Sequence, residues 1–272
     1  MSVGGDFFQF HQGELRALDL SLEDTLSVAD SFLVTSGLVK GLERHFLRFA
    51  NSIDDEKTRR QLPAFFSEVV KLIPKTDDWF PRLEYRAQQP EGERLFLRLR
   101  DAPERTETCT LWTSDELDPR QNPKIKGPDL AYGQRLRRAA NLHGADEAVI
   151  TDSEGFIADG ALSSVVWWRS DVLCAPDDQT NWLPSVTREL IFELASQAGY
   201  QTLEVKAKPE DLAGCEVWTL SALQGIRGVT RWGSIALGPL TMLSPFRKRL
   251  ALLAQPLPTP EAVMELNDLR SL

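Results

Sequence analysis

The sequence predicts a mixed α/β (α+β) chain organised in two domains. Three observations carry that expectation. Runs with apolar residues at helical spacing alternate with short β-branched and aromatic runs bounded by turn residues. A polar stretch with two prolines, Ser114 to Pro123, interrupts the pattern and reads as an interdomain linker. The length, 272 residues, suffices for two cores. The expected division is a small N-terminal domain (1–113), a linker (114–123) and a larger C-terminal domain (124–272).

In the first domain, Leu38, Leu42, Phe46, Phe49 and Ile53 fall on one helical face. Leu62, Phe65, Phe66, Val69, Val70 and Ile73 repeat the pattern and predict the cleanest amphipathic helix. Strands are expected over Trp79–Tyr85, Arg94–Leu99 and Glu107–Trp112, with Gln88 to Gly92 as a hairpin turn between the first two. In the second domain, Leu130 to Asn141 predicts a helix, Glu147 to Thr151 a strand, and Asp152 to Gly155 a turn. Ser163–Trp168 and Val172–Ala175 predict further strands. Val186 to Ala198 predicts a helix that Gly199 ends. Thr202–Lys206 and Glu216–Ser221 are strand-like, and a short helix is expected after the proline-rich Pro256 to Pro260.

Composition excludes several classes. Hydrophobic residues make up 42% and charged residues 26%, ordinary values for a globular chain. A formal net charge of -9 argues against nucleic acid or an anionic membrane as the main partner. No apolar run approaches the roughly 20 residues of a membrane span. Met1 to Leu20 lacks a basic-then-apolar signal pattern. Cys109, Cys174 and Cys215 are odd in number and far apart, which suits a reducing cytoplasm and gives no metal-ligand spacing. His11, His45 and His143 are equally scattered, so neither a zinc site nor a Ser-His-Asp triad is expected.

Five blocks hold the residues that could carry chemistry. Glu43-Arg44-His45-Phe46-Leu47-Arg48-Phe49 lies on the first long helix. Lys124-Ile125-Lys126-Gly127-Pro128-Asp129 heads a helix and leads to Ala145-Asp146-Glu147 and Val149 to Gly155. Asp159-Gly160-Ala161 follows, then a strand ending in Trp167. Leu183-Pro184-Ser185-Val186-Thr187-Arg188 opens another helix. Leu220-Ser221-Ala222-Leu223-Gln224-Gly225-Ile226-Arg227-Gly228-Val229 forms a strand and turn. Together, in this order, they resemble the class IV aminotransferases, the fold type IV pyridoxal-phosphate (PLP) enzymes that include D-amino-acid aminotransferase.

The resemblance implies that family's two-domain fold, a cofactor cleft between the domains, PLP as cofactor and a homodimer. By position in the blocks it implies Lys126 as the catalytic amine that forms a Schiff base with the cofactor aldehyde, with Asp129 where the family has asparagine. It implies Asp159, in place of the family's glutamate, as partner of the ring nitrogen. Arg48, the Val186 and Thr187 helix start, and Ser221 with Ala222 are implied as phosphate ligands. Ser185 stands where the family has glycine. His45 reads as a packing residue. Trp167, Trp168 and Trp182 are candidates to line the cleft, although aromatics at strand ends are more often core, and Arg82, Arg86 and Arg227 are candidates to meet a substrate carboxylate, although surface salt bridging is the commoner role of each.

The family's glycine-rich N-terminal stretch is absent, and Thr25 to Leu33 stands in its place. The expected activity is amino transfer from an amino acid to a keto acid. Two alternatives share the scaffold: a 4-amino-4-deoxychorismate lyase, which makes 4-aminobenzoate and pyruvate, and a non-catalytic PLP-binding or interaction protein. The block from Ala145 to Gly155 looks especially like the lyases.

Overall fold

The computed structural model describes residues 5–19 and 25–266. In chain order the elements begin with strands β1 (Asp6–His11), β2 (Glu14–Ala17), β3 (Val28–Ser31), β4 (Val34–Thr35) and β5 (Leu38–Val39). Helices α1 (Leu42–Asn51), α2 (Glu56–Arg59) and α3 (Leu62–Leu72) follow. Next come β6 (Asp78–Trp79), β7 (Arg82–Tyr85), β8 (Leu95–Leu99) and β9 (Thr108–Thr113), then α4 (Leu130–Leu142). After α4 run β10 (Glu147–Thr151), β11 (Ile157–Gly160), β12 (Ser164–Arg169) and β13 (Val172–Ala175). The chain continues with α5 (Val186–Gln197), β14 (Gln201–Glu204), β15 (Glu216–Ser221) and β16 (Gly225–Trp232). It closes with α6 (Leu243–Ala251), β17 (Gln255–Pro256) and α7 (Pro260–Met264).

These elements fall into two compact units. The first comprises residues 1–104, 126–128 and 253–272, and the second residues 105–125 and 129–252. The expected division at 113–124 differs from this one for a physical reason. Strand β9 is hydrogen-bonded in parallel to β10 and β16, so it belongs to the second unit's sheet. The three residues from Lys126 return to the first unit, and so does the chain after residue 252.

In the first unit an antiparallel five-stranded sheet has the order β2-β1-β8-β7-β3, and a small four-stranded sheet the order β17-β5-β4-β6. Helix α1 starts after Gly41, which holds a left-handed φ of 61°. Leu38, expected on that helix, lies instead in β5, because the left-handed residue ends the helical register. Leu42, His45, Phe46, Phe49 and Ala50 form the buried face of α1. Phe46 stacks on Phe66 of α3 with ring centroids 4.1 Å apart. The expected strand Trp79–Tyr85 is two strands, because Pro81 has no N–H for a ladder.

In the second unit an eight-stranded mixed sheet has the order β11-β10-β9-β16-β15-β12-β13-β14. Its core includes Leu111, Val149, Val165, Trp167, Val217 and Trp232. The alternation in Ser164–Arg169 and Glu216–Ser221 places apolar side chains on both faces, so these inner strands read as almost continuous apolar runs. Trp168 packs edge-on against Tyr200, Trp218 and Phe246. Trp167 and Trp168 are therefore core residues, the commoner role of aromatics at strand ends. Among the described residues, no helix is long and apolar enough to cross a membrane.

Candidate functional site

In the first unit the site begins with a backbone contact. Lys126 precedes α4 in an irregular segment, and its carbonyl accepts a hydrogen bond from Ala29 N at 2.6 Å. Strand β3 is the last strand of its sheet, so the lysine segment adds to that edge. Gly127 permits the approach: a Cβ there would stand 2.1 Å from the carbonyl oxygen of Ser27.

The next residue along β3 is Asp30, with no exposed surface. Arg48 grips it with two parallel bonds, Nε to Oδ2 at 2.7 Å and Nη2 to Oδ1 at 2.9 Å. His45, one turn earlier on α1, lies with Nδ1 at 2.8 Å from Oδ1. Burial alone would raise the Asp30 pKa, but the charges and hydrogen bonds of Arg48 and His45 outweigh it and hold the carboxyl well below the usual range. Asp30 is therefore an acceptor only, which makes His45 Nδ1–H the donor. Burial pushes the His45 pKa down, Asp30 opposes that, and Arg48 and Lys126 push it down further. The ring is neutral at pH 7.

Arg82 and Arg86 sit elsewhere in the same unit. Both, with Arg98, pair with the buried carboxylate of Glu84. Burial alone would raise the Glu84 pKa, but Arg82 and Arg86 bring it down.

In the second unit the corresponding centre is Asp159 on β11, 4% exposed. Its Oδ2 accepts from Leu183 N at 2.9 Å and its Oδ1 from Gly160 N at 3.1 Å. Arg120 Nη1 stands 3.6 Å from Oδ2. That guanidinium is already held by Asp118, with Nε to Oδ1 at 2.9 Å and Nη2 to Oδ2 at 2.9 Å. Burial dominates and pushes the Asp159 pKa up to about 6, against the pull of Arg120 and the two backbone amides. The Leu183 amide ties Asp159 to the loop that opens α5. There Ser185 caps the helix, its hydroxyl accepting from Arg188 N at 3.2 Å. Val186 and Thr187, in the first turn of α5, are both buried. Arg188 is buried too, donating to Pro176 O and Glu204 and lying 3.8 Å over the Trp182 ring. On α4, the Tyr132 hydroxyl is buried with no hydrogen-bond partner among the described residues.

The structure thus sets Arg48 and His45 on one buried aspartate, Lys126 on the backbone of the preceding residue, and ties Asp159 to the loop that opens the helix of Val186 and Thr187. Ser221 and Ala222 lie half-buried where β15 turns into β16, with the Ser221 hydroxyl accepting from Gln224 N at 3.1 Å. Arg227 is buried beside Glu147 at 3.7 Å. Three residues escaped the sequence reading. Asp30 was one carboxylate inside an apolar strand, which was its only signal. Arg120 lay in the stretch read as linker, and Tyr132 on an ordinary amphipathic helix. Among the described residues, no group of three or more His, Cys, Asp or Glu could hold a metal ion.

Solved structures share this fold. The PLP-bound form of a hypothetical aminotransferase from Mycobacterium tuberculosis superposes with a TM-score of 0.75 at 18% identity, covering 92% of this chain and 98% of the other. The branched-chain amino acid aminotransferase of Escherichia coli gives 0.74 at 17% identity, covering 90% and 92%. At such identities the likeness defines the class by fold alone.

Sequence defines the family. The model of one family, amino-transferase class IV, matches residues 27–232, and the chain belongs to that family. A putative branched-chain-amino-acid aminotransferase of Methanocaldococcus jannaschii is 28% identical over 91 residues, 34% of this chain and 32% of the relative. The Escherichia coli branched-chain-amino-acid aminotransferase is 31% identical over 83 residues, 30% of this chain and 26% of the relative. The aligned stretch thus spans about a third or less of these curated relatives.

Proposed function

We propose that the chain is a PLP-dependent aminotransferase that moves an amino group from an amino acid to a keto acid, working as a cytoplasmic homodimer. The observation that carries this reading is the anchorage of Lys126, clamped by Ala29 N on the strand whose next residue fixes Arg48 and His45. A lysine on a solvated helix start has no such setting.

The residues fit the cofactor. The first unit offers an amine and an arginine for an aldehyde and a phosphate. The second offers a helix start, a buried carboxylate and, in the orphaned Tyr132 hydroxyl, a buried donor that a polar ligand would satisfy. Lys126 would hold the aldehyde. Arg48, the amides of Val186 and Thr187 and the turn at Ser221 and Ala222 would hold the phosphate. Asp159 would face the ring nitrogen. PLP, when bound, supplies the electron sink for a carbanion at the substrate α-carbon. Displaced from the aldehyde by the substrate amine, Lys126 Nζ would take the α-proton and deliver it to the former aldehyde carbon. Neutral His45 leaves the amine's surroundings without a further buried positive charge.

The test is to add PLP to the purified protein, reduce with borohydride and map the labelled peptide by mass. A pyridoxyl label on Lys126, lost in Lys126→Ala, is the expected result. No label, or one spread over surface lysines, would overturn the assignment and leave the non-catalytic reading. A product screen then separates keto acids, expected here, from pyruvate with 4-aminobenzoate, the products of the lyase reading.

A further inference from the structure

We propose that the face of the five-stranded sheet around Glu84 holds the carboxylates of the substrate, and that this substrate is a dicarboxylate. The inference rests on the functional reading above and names its substrate class. Alternation and register place Arg82, Glu84 and Arg98 on one face of the sheet, with Arg82 directly opposite Arg98 and Arg100 just past the end of β8. Arg82 donates from Nε to Glu84 Oε1 at 2.7 Å, and Arg98 Nε reaches the same oxygen at 3.3 Å. Arg86 adds its own contact, Nη2 to Oε2 at 2.7 Å. Arg100 donates to Phe80 O and Ser31 Oγ, and among the described residues no carboxylate pairs with it. One carboxylate thus serves Arg82 and Arg98 while Arg100 has none, an excess of two positive charges before Arg86 is counted.

Stability does not explain the arrangement. Like charges directly opposite each other in a sheet are destabilising. Burial, with the charges of Arg82 and Arg98, presses the Arg100 pKa down to about 10, the mark of a cation short of partners. An anion relieves such a surplus, and the guanidiniums are set for one. Arg98 lies 4.3 Å over the Phe7 ring and Arg100 5.0 Å over the Phe80 ring, contacts that occupy planar faces and leave N–H edges for an acceptor. Among the described residues, neither terminal nitrogen of Arg98 donates a hydrogen bond, and its side chain is 15% exposed, so a ligand can reach it. The face is also near the lysine. The Lys126 carbonyl is bonded to Ala29 N, and Ala29 stands opposite Glu84 on β7. At roughly 4.8 Å per strand, the backbones of Lys126 and Glu84 are roughly 10 Å apart, a span suited to a lysine side chain and a short dicarboxylate. An apolar branched side chain set among these groups would strip them of water and return no hydrogen bond.

The experiment is calorimetry of glutarate and pentanoate, acids of equal chain length that differ by one carboxylate, on the apo and the PLP-loaded protein. Glutarate should bind at least about tenfold tighter, the worth of one charge-assisted contact. Arg98→Gln should bring that ratio toward one, chiefly by weakening glutarate. Circular dichroism and melting establish that the variant is folded, and Arg100→Gln provides the same test if it is not. Equal affinities in the wild type, or a folded variant that weakens both acids in proportion, would overturn the proposal. Inorganic phosphate binding as tightly as glutarate would overturn the dicarboxylate assignment. With PLP bound, glutamate should show a kcat/KM at least about tenfold above that of norvaline, its monocarboxylate counterpart, each tried in both enantiomers. Equal use of the two, or preference for norvaline, would also overturn it. The two readings fail separately. Glutarate preference without a pyridoxyl label on Lys126 sinks the aminotransferase reading and leaves the anion site standing, whereas a label without the preference sinks this inference alone.

Discussion

Asp30 in the first unit and Asp159 in the second are both buried aspartates that face an arginine, yet they sit on opposite sides of the normal carboxylate range. Asp30 takes the fork of its arginine. Arg48 meets both of its oxygens within 2.9 Å, and His45 adds a third bond. Asp159 shares its arginine: Arg120 gives its fork to Asp118 and approaches Asp159 only at 3.6 Å. Two backbone amides do not make up the difference. Burial is therefore overcome at one site and prevails at the other. The pair shows that an arginine near a buried carboxylate decides little until the geometry of its contact is known.

The sharpest way to break the comparison is to remove the charge at Asp30. Asp30→Asn leaves Arg48 buried against a neutral group, and its apo form should lose about 3–5 kcal/mol of unfolding free energy at pH 7 in denaturant titration. The depressed pKa means that this contribution is present above pH 4 and fades only in strong acid, as pH falls through the folded value.

At Asp159 the sign reverses. Its folded pKa, about 6, lies above the unfolded value, so the folded chain binds the proton more readily. The contribution is complete below pH 4 and is lost as pH rises through 6. Wild-type stability should therefore lose up to about 3 kcal/mol across that window relative to Asp159→Asn, whose profile should be flatter. Parallel profiles for the two proteins would refute the raised pKa. Asp118→Asn sharpens the same point: releasing the Arg120 fork should bring the Asp159 pKa down and narrow the window.

Smaller effects test the frames around each aspartate. Gly127→Ala forces the lysine segment off β3, because the added Cβ meets backbone, and it should destabilise the apo protein by about 1–3 kcal/mol while weakening PLP capture. Ser185→Ala removes the α5 cap and should cost about 1 kcal/mol, seen as a lower melting temperature.

Much of the architecture was legible from local signals. The helices at Leu62 and Val186 and the strands at Glu147 and Val172 came from apolar period and turn residues, which are properties of neighbours in sequence. The N-terminal strands were not legible. Asp6–His11 pairs with Leu95–Leu99, a partner far along the chain, and its period is masked by paired phenylalanines. The candidate lysine and Asp159 could be named from their blocks, but not the partners that set their chemistry.

The sequence by itself determined the family, the order of the blocks and the residue types available for chemistry. It did so because matching blocks and apolar spacing are written along the chain. The tertiary structure decided which charges meet. Asp30 reaches His45 and Arg48 across 15 and 18 residues, and Arg120 stands between Asp118 and Asp159. A carboxylate's protonation depends on distance, burial and competition for a partner, and all three are fixed only when distant segments pack together.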